Sequence, residues 1–88
     1  MTDTPAKGSP EEQAAMLAWL DEVADALGLD RETGRAALGD VLALTSTIAH
    51  NRSRPAAPVT AFLIGLVAGR EDAEASSLIA QIRQLAEQ

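Results

Sequence analysis

Apolar residues recur along this chain at spacings of three and four, in four stretches separated by short turn-forming segments. That period marks helices with one buried face, and nowhere do apolar and polar residues alternate over the length of a strand. The spacing predicts a first helix from Ser9-Pro10 to about Leu27, with Met16, Leu20, Val23, Ala24 and Leu27 on one face and Leu17 and Trp19 beside it. Its start is written locally. Ser9 can cap, and Pro10 suits the first helical position, where an absent N–H leaves no bond unmade. Glu12 stands where a capping box needs it. Gly28 is placed to end the helix in left-handed backbone, followed by Leu29 as its apolar contact.

A second helix is predicted from Asp30 to about His50, with Leu38, Val41, Leu42, Thr45, Ile48 and Ala49 inward. Gly34 and Gly39 weaken it by about 1 kcal/mol each relative to alanine, and offer another helix a close approach. The Arg54-Pro55 pair opposes continuation. The third helix begins near Pro55 or Pro58, with Pro58 at the first helical position preferred, and ends at Gly69. Val59, Ala61, Phe62, Leu63, Ile64, Leu66, Val67 and Ala68 cover its whole circumference, so it is either central in its domain or buried in a partner. Gly65 within it is a second point of close approach. A fourth helix runs from about Asp72 to Ala86, with Ala75, Leu78, Ile79, Ile82, Leu85 and Ala86 inward. Residues 1–8 read as a disordered lead-in with nothing to bury, which leaves 9–88 as one domain. The expected fold is all-α, a compact four-helix domain with short links.

Composition narrows the function more than the fold. A chain of 88 residues buries a modest core, and stability of about 3–5 kcal/mol is the expectation. There is no cysteine, so neither a disulfide nor a thiolate metal site contributes. The polar opening MTDTPAKGSP has no apolar signal-peptide core, and the longest apolar run, Pro55–Gly69, is shorter than the roughly 20 residues of a membrane span. A cytoplasmic protein without membrane attachment is expected. The net charge of −6 and the near absence of aromatics, Trp19 and Phe62 alone, argue against a nucleic-acid partner.

Within this acidic chain the charge reverses locally. No carboxylate occurs between Asp40 and Glu71, and the same stretch holds His50, Arg52 and Arg54, with Arg70 after the third helix. Two readings stand. The Arg52 and Arg54 guanidiniums can hold a phosphate or carboxylate, aided by free N–H groups at the start of the third helix and by the Thr60 hydroxyl, in a loop shaped by Pro55 and Pro58. Alternatively, these cations answer the negative end of the second helix, or are solvated, or pair with carboxylates of the first helix. His50 is the only histidine. It has no second His or Cys with which to hold a metal, and Ser46 one turn earlier lacks a third catalytic member. Asp21, Glu22 and Asp25 read best as a solvated helix face. Asn51-Arg52-Ser53 fits a glycosylation acceptor without a secretion signal beside it. No phosphate-binding glycine loop, nucleophile elbow or dinucleotide fingerprint occurs. No enzyme activity, cofactor or metal is expected.

The string from Asp40 to Gly69, DVLALTSTIAHNRSRPAAPVTAFLIGLVAG, resembles the core of a small bacterial helical domain family of unassigned function. The elements that carry the resemblance are Ala49-His50, Arg54-Pro55-Ala56-Ala57-Pro58, Val59-Thr60 and Ala68-Gly69-Arg70. LAWLDEVADALGLD resembles the family's opening. The likeness covers roughly residues 15–86, is specific through the Arg-Pro-Ala-Ala-Pro stretch, and is firmer at Arg54 than at Arg52. Such domains occur alone or fused to the molybdenum-cofactor guanylyltransferase, and carry the label of molybdopterin-guanine dinucleotide biosynthesis. This chain lacks the transferase's glycine-rich nucleotide loop and is too short for its α/β domain. The resemblance therefore implies a non-catalytic accessory module, with the transferase as partner or a phosphorylated ligand at the basic loop. A homodimer or larger homo-oligomer built on the third helix, with no small ligand, is the other expectation.

Overall fold

A computed structural model describes residues 7–88. Four helices and no strand occur among them: α1 (Pro10–Leu27), α2 (Arg31–Asn51), α3 (Ala56–Glu71) and α4 (Ala75–Ala86). The chain is an all-α, four-helix domain, as the apolar spacing predicts. Up to residue 6 the expected lead-in lies outside the described residues, while Lys7 and Gly8 form a turn before α1. The chain divides into two units, Met1–Ala36 and Ala37–Gln88, and α2 contributes its first residues to one and its remainder to the other.

The first unit is a helical hairpin. Ser9 caps α1 by accepting the Glu12 N–H at 3.1 Å, and the Glu12 carboxylate accepts the Gly8 N–H at 2.7 Å. The box thus closes one residue further back than its simplest form. Gly28 takes left-handed backbone at φ 71°, which costs glycine little, and the Leu29 N–H reaches Ala24 O at 2.8 Å in a Schellman ending. Asp30 then starts α2, its carboxylate accepting the Glu32 N–H at 2.9 Å. Ala24 is the one buried residue of α1. Leu20 and Val23 beside it are half-buried, while Leu27 is exposed.

The second unit holds the core. Leu44, Ile48, Ala57, Ile64, Ile79 and Ala86 are buried, with Val41, Ala49, Ala56, Leu78 and Ile82 packed against them. On α2 the expected stripe is inward at Leu38, Val41, Thr45, Ile48 and Ala49, and departs from the structure at one residue it includes and one it omits. Leu42 is exposed and Leu44, which the stripe omits, is 0 % exposed. On α3 only the face of Ala57, Thr60, Ala61, Ile64, Val67 and Ala68 is turned inward, so within this unit the helix is not central.

Two helix ends differ from expectation. Helix α3 starts at Ala56, with Pro55 as cap, so Pro58 falls at the third helical position. That site also lacks an intrahelical partner for its N–H, so the proline is tolerated there as at the first. At the other end Gly69 stays helical, and Asp72 rather than glycine takes the left-handed position at φ 53°. Ala73 N then donates to Ala68 O at 3.0 Å, and α4 begins at Ala75 instead of Asp72. Among the described residues, a β-carbon added at Gly34, Gly39 or Gly65, where close approaches were expected, meets nothing within 4 Å.

Candidate functional site

The turn between α2 and α3 is built from its own backbone. The N–H groups of Arg52 and Ser53 both donate to Ile48 O, at 2.8 and 2.9 Å, which winds α2 to a close. Ser53 and Arg54 carbonyls then accept the N–H groups of Ala56 and Ala57, each at 3.2 Å. Pro58 has no N–H, and from Val59 the helical ladder takes over. The start of α3 therefore offers no free donors, contrary to the expectation that it would help hold an anion.

The basic residues go to different work. Arg52 Nη2 donates to Leu85 O at 3.1 Å and to Gln88 O at 2.9 Å, and Asn51 Nδ2 donates to Ala86 O at 3.3 Å. These two side chains satisfy carbonyls at the C-terminal end of α4, where a cation is also favoured by the helix dipole. His50 Nδ1 lies 2.7 Å from Ser46 O. A carbonyl only accepts, so Nδ1 carries a proton and donates it there. The Thr60 hydroxyl donates to Ala56 O at 2.8 Å. Arg70 pairs with Glu71 at 3.0 Å near the far end of α3, about 20 Å along the helix axis from Ala56, so it is no part of the loop. Arg54 makes no side-chain hydrogen bond or ion pair among the described residues, and stands exposed between Ser53 and the exposed Pro55 and Pro58. Of the seven candidate residues, the structure gathers Arg52 and Thr60 on one wall and leaves Arg54 as the available charge.

That wall belongs to a groove. Ile48, Ala56, Ile82 and Leu85 line an open pocket of about 380 Å³ with Arg52 and Thr60. Leu63, Ile64, Val67 and Leu78 line a neighbouring one of about 320 Å³, to which Thr60 and Ile82 also contribute. The shared residues join the two into one apolar trough along α3 and α4, with its cationic end at the α2–α3 turn. Sequence reading placed Leu78, Ile82 and Leu85 in the core; here their outer edges form the floor and rim.

In the first unit the carboxylates of α1 are not simply solvated. Arg31 Nε and Nη2 donate to the two oxygens of Asp25 at 3.0 and 2.7 Å, and Arg35 Nε and Nη2 donate to those of Asp21 at 3.2 and 2.9 Å. These are two-pronged, planar pairs. The hydrogen bond from Arg35 holds the Asp21 carboxyl below its ordinary value, and that from Arg31 does the same for Asp25. Both arginines are shifted upward in return. The signal lay in matching spacings: Asp21 and Asp25 are one turn apart on α1, Arg31 and Arg35 one turn apart on α2, and the hairpin reverses the chain between them.

A family model described as a domain of unknown function (DUF6457) matches residues 11–88. The chain belongs to this family. The match takes in both the arginine–aspartate hairpin and the α3–α4 groove, so both are parts of one DUF6457 domain. No curated protein and no solved structure matches the chain. Among the described residues of the domain no three His, Cys, Asp or Glu side chains gather as a metal site would need, and no helix is long and apolar enough to cross a membrane.

Proposed function

We propose that this DUF6457 domain is a non-catalytic interaction module that takes an apolar, carboxylate-bearing segment of a partner protein in the trough between α3 and α4. The observation that carries this reading is the trough itself: apolar, and ending at Arg52 on the α2–α3 turn, which also carries Arg54, without a side-chain partner among the described residues, in a stretch without carboxylates. Apolar walls reward burial of a partner's aliphatic side chains, and the charge at one end orients the segment. A small phosphorylated ligand is served less well, because Arg52, Thr60 and the first N–H groups of α3 are already bonded. The resemblance of Asp40–Gly69 to domains that accompany the molybdenum-cofactor guanylyltransferase supports molybdopterin-guanine dinucleotide biosynthesis as the setting and that transferase as the partner.

Amide NMR of the labelled domain, titrated separately with the transferase, GTP and a phosphorylated pterin, tests the proposal. Shifts along Ala56–Val67 and Leu78–Ala86 with the transferase alone are expected, and Arg54→Ala should weaken binding while helical content is unchanged. Equal affinity of that variant, or a response to none of the three, overturns it.

A further inference from the structure

One end of the trough is barred. Arg52 reaches from the α2–α3 turn to Leu85 O at 3.1 Å and Gln88 O at 2.9 Å, so its side chain spans from the approach to α3 to the end of α4. Both bonds use Nη2, and Nε and Nη1 have no partner among the described residues. Among those residues Arg52 is also the one charged side chain lining the trough; apart from Thr60 and Gln81 the rest are aliphatic. A guanidinium already fixed through one nitrogen loses little further freedom when it binds through the others. We infer that the segment taken by the trough is the C-terminal end of a partner chain, its terminal carboxylate held by Nε or Nη1 of Arg52 and its last apolar side chains lying along α3 and α4.

The bar selects a chain end over an internal carboxylate. A segment with Asp or Glu in its interior carries its main chain on past the anion, and the Arg52 side chain and the last turn of α4 stand in that path. A chain end needs no exit. It also brings a single negative charge, and no second cation lines the trough among the described residues. Each two-pronged edge of a guanidinium includes Nη2, which is spent here, so single contacts to a carboxylate are what Arg52 still offers. The rim selects a peptide over an aliphatic acid. Gln81 stands there without a side-chain hydrogen bond among the described residues, and main-chain amides supply it with partners. On α3, Ala56 and Thr60 line one pocket and Thr60 to Val67 the other. Their centres are thus roughly 8 Å apart along the helix. Side chains two residues apart on an extended chain stand about 7 Å apart, so each can fill one pocket. This assignment rests on the trough being a partner's site, and adds which part of the partner enters and in which direction.

NMR titration of the full labelled chain tests it with four probes: acetyl-Ser-Leu-Ser-Leu-Ser-Leu as the free acid, the same peptide amidated, the amidated peptide with Glu in place of its last Ser, and decanoic acid. The free acid should shift the Arg52 Nε resonance and the amides of Ile48, Thr60 and Leu85, and should bind roughly tenfold more tightly than either amidated peptide. Arg52→Gln keeps a donor for the α4 carbonyls, and should abolish that preference with helical content unchanged by far-UV circular dichroism. Equal binding of the acid and either amidated peptide overturns the chain end while leaving the trough as a site. Tighter binding of decanoic acid than of the peptide acid overturns the peptide as occupant. A preference kept in Arg52→Gln overturns Arg52 as the anchor. No shift with any probe up to millimolar concentration overturns the assignment altogether, and the transferase titration then decides separately whether the trough takes a partner.

Discussion

The hairpin of α1 and the start of α2 is closed by two arginine–aspartate forks around a single buried alanine, whereas the helices beyond Ala37 close over six buried aliphatic side chains and no buried charge. The sequence chemistry differs accordingly. Helix α1 supplies five acids and no cation, and Arg31 and Arg35 stand at the positive end of α2, where the dipole opposes them. Asp25 and Asp21 offset that opposition. In the second unit Leu44, Ile48 and Ile64 need no partner of opposite sign, only exclusion of water. One region is thus specified by electrostatics that solvent can screen, the other by packing that it cannot.

The contrast is broken most severely at Leu44. Leu44→Ala removes the most buried side chain of the second unit and should lower the unfolding free energy by about 2–5 kcal/mol, read from urea denaturation. Against a small domain's stability that abolishes most of the folded population at ambient temperature. A loss comparable to that at an exposed leucine such as Leu42 would mean that the inward row of α2 is wrongly placed.

Acid should separate the two units next. Asp21 and Asp25 have folded values below the roughly 3.9 of a free aspartate, so their contribution is complete above that pH and lost as pH falls through the lower folded values. Carboxyl and amide NMR from pH 5 downward should show the hairpin resonances of residues 20–36 broadening below about pH 4, ahead of Leu44 and Ile79. Simultaneous loss everywhere would deny the hairpin its separate electrostatic character.

Smaller changes sharpen the picture at the two left-handed helix ends. Gly28→Ala places a β-carbon at φ 71° and should destabilise the hairpin by about 1 kcal/mol. Asp72→Gly relieves the same conformation at φ 53° and should raise the thermal midpoint slightly, a gain of roughly 0.5 kcal/mol. Calorimetry of both variants gives the two signs directly.

What could be read in advance was local. The box at Ser9–Glu12, the reversal at Gly28 and the cap at Asp30 depend on residues within four positions of one another, and residue type decides them. On α2 the edge of the inward face was not decided that way, since Leu42 and Leu44 flank the Val41–Ile48 row on either side and are the same residue type. Packing against α3 and α4, and not residue type, buries Leu44 and leaves Leu42 exposed. At the start of α3 two prolines both fitted, because neither position offers an N–H to the ladder. In the candidate site, the reversal of charge around Arg54 was legible, yet the partners of Arg52 lie at Leu85 and Gln88, beyond any local pattern. The forks at Asp21 and Asp25 were missed for the same reason, although their mirrored spacing was on the page.

Trp19 on α1 is the only tryptophan, there is no tyrosine, and its indole is 62 % exposed. Near-ultraviolet fluorescence of this protein is therefore a report from the hairpin alone, already red-shifted before anything unfolds. An emission trace and a calorimetric trace that disagree would be the optical signature of where the one fluorophore sits, and a tryptophan introduced at Phe62 would give the other half of the chain a voice.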